Sequence, residues 1–189
     1  MEKELEQRHS DCIKIVLFGP ESSGKSTLAK QLAEHFNEPY VPEFMRSYLQ
    51  KKWNTEKNSC EKQDLLPIAK GQMTSENKIA PLAEKLLFCD TNLLEIKVYS
   101  QYYYSGFCPK SILNSIEKSS YEYYLLLYPD LPWVEDDLRD RPNDRKNMFR
   151  IFENELKQSK RSYSVIKGVG IKRLEMAIGI IENLLEQEC

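Results

Sequence analysis

Residues 13–27 of the chain read IKIVLFGPESSGKST. The first six are mostly apolar and rich in β-branched side chains, which is typical of a buried strand, and a helical pattern begins near Lys25. Residues 19–26 between them fit the pattern G-x-x-x-x-G-K-S/T, whose small residues let successive backbone N–H groups surround an anion beside a helix N-terminus. Strand, loop and helix together predict a phosphate-binding loop that holds a nucleoside triphosphate.

Individual residues of this loop have expected roles. Lys25 would reach the β- and γ-phosphates, and the hydroxyl of Ser26 would be a ligand of Mg²⁺. The alternative is a chance loop of small residues that caps an ordinary helix, and the strand and helix on either side disfavour it. The residues expected to bind the phosphates of ATP are Gly19, Glu21, Ser22, Ser23, Gly24, Lys25, Ser26 and Thr27.

The composition is that of an ordinary single domain. A net charge of −2, with 30% charged residues of both signs, gives no basic excess to attract nucleic acid. No apolar run approaches the ~18 residues of a membrane span, and the charged residues before the first strand are unlike a secretory signal. The five cysteines include no C-x-x-C pair, which favours reduced thiols. We expect a cytoplasmic protein without nucleic-acid or membrane partners; a homo-oligomer is compatible with the sequence.

Apolar runs alternate with helical patterns along the chain. The runs predict five strands at about 13–18, 40–41, 86–90, 123–128 and 162–166. This alternation predicts an α/β fold of the P-loop NTPase class, with a five-stranded, mostly parallel sheet and helices on both faces. Residues 1–11 are expected to form a flexible lead-in, and residues 12–189 a single P-loop domain.

Asp90 ends the apolar run 86–89. Ligands of open parallel sheets bind at the carboxyl ends of the strands, so Asp90 holds the position of a Walker B acid that binds Mg²⁺ directly or through water. The alternative is a helix cap, because Asp90-Thr91-Asn92 precedes a helix and aspartate caps well. The two roles can coexist.

Glu43 and Arg46 follow the second strand, with a spacing that places them on one face of a helix. Glu43 could accept hydrogen bonds from sugar hydroxyls or take the proton from an attacking hydroxyl. Arg46 could steady that carboxylate or contact phosphate. A first-turn glutamate favoured by the helix dipole, paired on the surface with Arg46, explains the pattern equally well.

The segment from about 131 to 147 is broken by prolines and carries Arg139, Arg141 and Arg145. Arginine matches the charge that develops on a transferred phosphoryl group, and a lid at this place would exclude water from it. The alternative is a solvated loop whose arginines pair with the acidic residues among them. We favour the lid because its place in the chain order matches that of small-molecule kinases.

Two further features leave their alternatives open. Lys167-Gly168-Val169-Gly170 follows the last strand and could hold adenine by main-chain contacts, but an ordinary strand-to-helix turn fits equally well. Tyr99 belongs to a tyrosine-rich helix and could stack on a flat base, although such stripes more often pack in the core.

Other nucleotide-binding classes fit less well. A GTPase switch requires D-x-x-G and N-K-x-D, whereas Thr91-Asn92-Leu93 follows Asp90 and N-K-x-D is absent from the sequence. A motor of the AAA type usually has a longer module with a helical lid domain. A compact kinase with a lid, of the nucleoside or nucleoside-monophosphate kinase type, is the better hypothesis.

Several motifs together resemble the NadR-type ribosylnicotinamide kinase family. The resemblance covers about residues 12–186 in matching order and implies ATP- and Mg²⁺-dependent phosphorylation of the 5′-hydroxyl of nicotinamide riboside, giving nicotinamide mononucleotide for NAD synthesis. The motifs are residues 19–27 in the form G-x-E-S-x-G-K-S/T, Glu43-x-x-Arg46, residues 68–72 (IAKGQ), Cys89-Asp90-Thr91 and residues 133–139 (WVEDDLR).

Combined with the chemistry of the residues, the resemblance suggests a set of roles. Catalysis is expected from Lys25, Glu43, Asp90, Arg139 and Arg141. ATP is expected to contact Arg145 and Val169 in addition to the phosphate-binding loop. The acceptor is expected to contact Glu43, Phe44, Arg46, Gln72, Tyr99 and Asp137.

The sequence departs from the family in two respects. Relatives can carry a tryptophan before the Glu-x-x-Arg pair, where this chain has Pro42, so recognition of the nicotinamide ring would fall to Phe44 or Tyr99. An adenylyltransferase domain ahead of the kinase, present in fused relatives, is not expected. The alternatives are a kinase of another nucleoside or small metabolite, and a non-catalytic nucleotide-binding regulator.

Overall fold

The computed structural model describes residues 2–139 and 142–187. Its strands are β1 (Ile13–Phe18), β2 (Tyr40–Val41), β3 (Leu86–Asp90), β4 (Tyr123–Leu127) and β5 (Tyr163–Ile166). Its α-helices are α1 (Lys25–Phe36), α2 (Phe44–Glu56), α3 (Leu65–Ile79), α4 (Leu93–Tyr103), α5 (Lys110–Lys118), α6 (Arg145–Gln158) and α7 (Ile171–Gln187). Short 3₁₀ turns lie at Glu2–Leu5, Lys62–Asp64 and Ala80–Leu82.

The five strands form one sheet in the order β2-β3-β1-β4-β5, and every pairing is parallel. This confirms the predicted five-stranded parallel sheet. In the register of the sheet Leu17 of β1 lies opposite Asp90 of β3. The phosphate-binding loop that follows β1 and the carboxylate that ends β3 therefore meet at the same edge of the sheet.

Helices cover both faces of the sheet, as predicted. Alternate residues of β1 point to opposite faces because side chains alternate along a strand. Val16 and Phe18 pack in the cluster that α4 and α6 complete, whereas Ile15 and Leu17 pack against α1 and α7. All four of these β1 side chains are fully buried. A third cluster joins α2, α3, α4 and α5 beside the sheet.

The lead-in before β1 differs from the flexible segment expected for residues 1–11. Leu5 is only 2% exposed and packs in the cluster formed by α3, α4 and α5. The side chain of Gln7 donates to Glu76 Oε1 at 2.6 Å and accepts from the backbone N–H of Ser120 at 2.8 Å. The Gln7 amide also donates to the carbonyl oxygen of Ser120 at 3.1 Å, and Asn77 bonds to the backbone of residues 6 and 8, so the described part of this segment is attached to the domain.

The segment between β4 and α6 runs over the surface without strand or α-helix in its described part, residues 128–139 and 142–144. Its path crosses the edge of the sheet where the phosphate-binding loop and Asp90 meet. Among the described residues, no helix is both long and apolar enough to cross a lipid bilayer.

Candidate active site

Two glycines set the shape of the phosphate-binding loop. Gly19 has φ +136°, and a Cβ there would lie 2.9 Å from the carbonyl oxygen of Leu127. Gly24 has φ +87°, and a Cβ there would lie 2.7 Å from Leu131 Cδ1. Both positions need a positive φ and close approach, which glycine alone provides without strain. The loop is thereby held against the end of β4 and the start of the following segment.

The loop carries a buried ammonium group. Lys25 is 7% exposed, and its Nζ donates to the carbonyl oxygens of Gly19 at 2.7 Å and Pro20 at 3.1 Å. Nζ also lies 3.2 Å from Glu95 Oε1. The side chain thus folds back under the loop, at the place where the motif requires a cation for the phosphates.

Three carboxylates surround this ammonium group. Burial by itself would lower the pKa of Lys25, but the negative charges of Glu95, Glu43 and Asp90 outweigh burial and raise it. Lys25 therefore stays protonated throughout the physiological pH range. A fixed positive charge in a water-poor site is what a triphosphate requires.

Asp90 ends β3, and its carboxylate lies beside Ser26 and Lys25 of the phosphate-binding loop. It is 2% exposed, and no donor among the described residues reaches its Oδ1. Burial raises the pKa of Asp90, and the hydroxyl of Ser26 and the charge of Lys25 oppose that rise. One hydroxyl and one carboxylate fit Mg²⁺, which is usually held by one or two protein oxygens together with substrate phosphates.

The residue that caps α4 is Asn92, and not Asp90 as the alternative interpretation of the sequence has it. The side chain of Asn92 accepts from the backbone N–H of Leu94 at 3.1 Å and caps α4. The side chain of Asp90 does not cap that helix. Within Asp90-Thr91-Asn92, Asp90 therefore faces the phosphate-binding loop and Asn92 caps α4.

Glu43 is half-buried in the site and is not a surface partner of Arg46. Burial, together with repulsion from Asp90, raises the pKa of Glu43, while Lys25 and two arginines lower it. Arg46 donates instead to Asp136 Oδ2 at 2.5 Å. The predicted pairing of Glu43 with Arg46 therefore does not form, and Glu43 keeps a carboxylate directed to the cavity.

A cavity of about 650 Å³ extends from the phosphate-binding loop between α2 and α4. Its polar end is lined by the loop and by Glu43, Arg46, Glu95 and Arg139, and Asp137 lines it beside Gln50 of α2. Its other end is mostly apolar and aromatic, lined by Leu49, Trp53, Leu65, Tyr99, Tyr103 and Tyr104. The cavity therefore joins a phosphate site to a compartment suited to a flat ring.

Two predicted substrate contacts, Phe44 and Gln72, do not line this cavity. Gln72 is 2% exposed, and its Oε1 accepts from the backbone N–H of Phe44 at 2.8 Å. The Phe44 ring lies against Gly71 of α3. Phe44 and Gln72 hold the first turn of α2 against α3, on the side away from the cavity. Of Phe44 and Tyr99, the two residues expected to stack on the nicotinamide ring, only Tyr99 lines the cavity.

The segment after β4 closes over the cavity. Asp136 accepts from Arg46 of α2 and lies 3.2 Å from the Nε of Arg139. The side chain of Gln50 donates to Asp137 at 3.1 Å. The backbone N–H of Val134 donates to the hydroxyl of Ser22 in the phosphate-binding loop at 3.2 Å. Contacts to α2 on one side and to the loop on the other bridge the mouth of the site.

The predicted lid arginines have different surroundings. Arg139 lines the cavity, as expected for a lid arginine, and also pairs with Asp136, as expected for an arginine of a solvated loop. Arg145 donates to the carbonyl oxygens of Leu131 at 2.9 Å and Ser22 at 3.3 Å. Arg141 lies outside the residues that the structure describes.

The loop after β5 lies apart from the cavity. Val169 is 57% exposed and is flanked by Gly168 and Gly170, which both have positive φ. The backbone N–H of Gly168 donates to Asp130 at 2.6 Å. No described residue of this loop lines the cavity, so an adenine contact at Val169 stays a prediction.

Glu95 is the functional candidate that the sequence reasoning missed. It lies in the first turn of α4, is 1% exposed and faces Lys25. Its signal in the sequence is a single carboxylate within the apolar run Leu93-Leu94-Glu95-Ile96, five residues after Asp90. Trp53, which lines the cavity, was missed as well. The polar residues after Trp53 predict that the helix ends there, whereas α2 extends through Glu56.

Known proteins share both sequence and fold with this chain. The trifunctional NAD biosynthesis/regulator protein NadR of Salmonella typhimurium is 27% identical over 155 residues, which are 81% of this chain and 38% of that protein. The protein of the same name from Escherichia coli is 27% identical over 147 residues, 77% of this chain and 36% of that protein. The chain thus spans under two fifths of these relatives.

Solved structures share the architecture. A crystal structure of NadR in complex with NR has a TM-score of 0.72 at 18% identity and covers 92% of this chain and 51% of that one. Deoxyadenosine kinase from M. mycoides with bound dATP has a TM-score of 0.56 at 14% identity, covering 90% and 99% of the two chains. Thymidylate kinase from Ehrlichia chaffeensis has a TM-score of 0.61 at 15% identity, and the match covers 90% of this chain and 98% of that one.

These structural matches confirm the predicted P-loop fold of the nucleoside and nucleoside-monophosphate kinase type, and the matches to NadR confirm the resemblance predicted from the motifs. A family model described as an AAA domain, AAA_28, matches residues 14–173 and so covers most of the chain. This chain belongs to the AAA_28 family.

Proposed function

We propose that this chain is an ATP-dependent kinase that phosphorylates the 5′-hydroxyl of nicotinamide riboside and produces nicotinamide mononucleotide. The observation that carries the proposal is that one cavity is lined both by Lys25 with its phosphate-binding loop and by an aromatic compartment. Similarity to NadR, a NAD biosynthesis protein with solved structures bound to NR and to NAD with AMP-PNP, supports this choice of acceptor.

The aromatic compartment fits the acceptor's chemistry. Nicotinamide riboside carries a flat, positively charged pyridinium ring, which aromatic faces attract electrostatically. Trp53, Tyr99 and Tyr104 line the compartment. Relatives can carry a tryptophan at the position of Pro42, and in this chain Trp53 of α2 could take over the stacking role of that tryptophan. The carboxylates of Glu43 and Asp137 line the same cavity, Asp137 beside Gln50 of α2, and both could accept hydrogen bonds from the hydroxyls of the ribose.

The residues of the site divide the chemistry among them. The backbone amides of the phosphate-binding loop and the ammonium of Lys25 would bind the triphosphate. Ser26 and Asp90 would hold Mg²⁺, which neutralises charge on the phosphates when bound. Glu43 would accept the proton of the attacking 5′-hydroxyl, and Arg139 would stabilise charge on the transferred group. Alignment and charge stabilisation would supply most of the acceleration.

A cytoplasmic location is part of the same proposal. The described cysteines Cys12, Cys60, Cys89 and Cys108 are free thiols, and three of them are buried. Free thiols persist in a reducing compartment.

The acceptor screen tests the proposal. Purified chain with Mg²⁺ and ATP is incubated with nicotinamide riboside, thymidine, deoxyadenosine or uridine, and phosphorylated products are measured by mass spectrometry. We expect the highest kcat/KM with nicotinamide riboside. A higher value with another nucleoside would instead favour a deoxynucleoside kinase, whose fold this chain shares, and slow ATP hydrolysis without any phosphorylated acceptor would favour a nucleotide-binding regulator.

A further inference from the structure

Glu95 is a buried carboxylate that the transfer step above does not use. It is 1% exposed, lines the cavity and has its Oε1 3.2 Å from Lys25 Nζ. Apart from Lys25, no described residue offers a hydrogen-bond donor to either of its oxygens. A buried carboxylate without donors is unfavourable, so Glu95 depends on the charge of Lys25.

The ammonium group of Lys25 has one donor beyond those that the phosphate-binding loop uses. An ammonium group has three donors, and the carbonyl oxygens of Gly19 and Pro20 accept two of them. Glu95 Oε1 lies 3.2 Å from the same Nζ as its ion-pair partner. In a phosphate-binding loop the lysine reaches the β- and γ-phosphates, so a bound triphosphate and Glu95 compete for the same ammonium group.

A triphosphate that displaces Glu95 creates a second requirement. The carboxylate would then lie beside like charge without a donor, and it must find a new partner in the cavity. Along the same face of α4, Tyr99 and Tyr103 line the compartment proposed for the acceptor. The hydroxyls of an acceptor's ribose are donors of the right kind for the displaced carboxylate.

We propose that Glu95 exchanges partners during the binding cycle. It pairs with Lys25 when no nucleotide is bound, and it accepts a hydrogen bond from a ribose hydroxyl of the acceptor once phosphate holds Lys25. The second half of this exchange rests on the proposed function. The exchange makes ATP and acceptor bind synergistically, because each relieves the cost that the other creates.

Calorimetric titration with Mg²⁺ and AMP-PNP, without acceptor, tests the first half. Glu95→Gln keeps the size of the side chain and removes its charge, so we expect the Kd for AMP-PNP to fall about tenfold. If Glu95 only positioned Lys25 for the phosphates, the same substitution would raise the Kd. An unchanged or higher Kd overturns the proposal.

Glu155→Gln is the matched control. Glu155 is also a buried glutamate paired with a lysine, since its Oε1 accepts from Lys97 at 2.7 Å, but it lies outside the cavity. We expect it to leave the Kd for AMP-PNP unchanged. Thermal unfolding verifies the fold of both variants, and Glu95→Asp, which retracts the carboxylate from Lys25, is expected to lower the Kd less than Glu95→Gln.

Titration with nicotinamide riboside, with and without AMP-PNP, tests the second half. In the unsubstituted chain we expect AMP-PNP to lower the Kd for nicotinamide riboside roughly fivefold or more. In Glu95→Gln this coupling should disappear, and a coupling of the same size would overturn the exchange. Absence of nicotinamide riboside binding in both proteins would contradict the proposed substrate and this half, whereas the AMP-PNP titration decides the Lys25 half alone.

Discussion

The ring of Phe44, in the first turn of α2, lies so close to Gly71 of α3 that a Cβ at position 71 would come within 2.1 Å of its Cε1. The next residue of α3, Gln72, accepts from the backbone N–H of Phe44 at 2.8 Å. Helix α3 therefore sets the position of the turn that carries Glu43 and Arg46 into the cavity. The effect of these residues on the site is indirect, through the backbone.

Gly71→Ala should disturb both stability and turnover. The added methyl group must displace the Phe44 ring, so we expect the free energy of unfolding to fall by about 1–3 kcal/mol. The shift of Glu43 should lower kcat as well, and urea unfolding with initial rates measures the two effects.

Gly179→Ala in α7 is the matched control for that substitution. A Cβ at position 179 would meet no heavy atom within 4 Å, so we expect stabilisation of about 0.5–1 kcal/mol and unchanged turnover. Equal destabilisation by the two alanines would show that the contact with Phe44 has no special effect.

Lys25→Ala should abolish phosphoryl transfer without unfolding the domain. The substitution removes the ammonium group expected to bind the phosphates, while the strand and helix on either side keep their cores. Turnover of ATP with acceptor, measured beside the circular dichroism spectrum, tests this expectation. Normal turnover in a folded variant would contradict the assignment of the loop.

Asp90→Asn should lower transfer by a factor of about 100 or more, because it removes the charge expected to hold Mg²⁺. Removing a buried carboxylate whose Oδ1 lacks a donor should leave the free energy of unfolding in metal-free buffer unchanged or higher. Rates measured against Mg²⁺ concentration, with urea unfolding in EDTA, test both effects.

Asn92→Ala separates this carboxylate from the cap that follows it. The substitution removes the cap on α4 and the buried hydrogen bond that Asn92 Nδ2 donates to Tyr124 Oη, so we expect a loss of about 2–3 kcal/mol of stability. Because Asn92 is not expected to bind metal, the dependence of the rate on Mg²⁺ should stay as in the unsubstituted chain. A weakened Mg²⁺ dependence in Asn92→Ala alone would contradict this division of roles.

Asp64→Asn tests the buried ion pair that ties α2 to the start of α3. Lys52 Nζ lies 2.6 Å from Asp64 Oδ2, with both side chains almost fully buried. Burial would raise the pKa of Asp64, but hydrogen bonds from Lys52, Glu61 N–H and Tyr48 outweigh it and hold the pKa below its ordinary 3.8. We expect a loss of about 3 kcal/mol at pH 7.

The pH dependence of that loss follows from the direction of the shift. A pKa that is lower in the folded than in the unfolded chain stabilises the fold above the unfolded value and ceases to do so as the pH falls through the folded value. The difference between Asp64→Asn and the unsubstituted chain should therefore be constant above about pH 5 and shrink below pH 4. A difference that grows on acidification would contradict the ion pair.

The central part of the fold was predictable because local signals and burial agree there. The apolar runs of β3 and β4 admit little but buried strands, and the glycines and lysine of the phosphate-binding loop have few other uses. Asp90 follows from its place at a strand end. These features depend on neighbours in sequence.

The remaining features depend on contacts between distant segments. Leu5 is buried because α3 and α5 leave space for it, and no local pattern contains that space. Arg46 pairs with Asp136, and not with Glu43 three residues before it in the sequence, because the segment after β4 crosses α2. The direction of Glu95 depends on the phase of α4, which the cap at Asn92 sets. Such outcomes require the tertiary arrangement.

The most direct test of the proposed kinase activity measures ADP and nicotinamide mononucleotide in one reaction of the chain with Mg²⁺, ATP and nicotinamide riboside. We expect the two products to form one for one, with the 5′-phosphate verified by mass spectrometry and both products absent with Lys25→Ala. ADP formation at the same rate with and without nicotinamide riboside, and no nicotinamide mononucleotide, would contradict the proposed function.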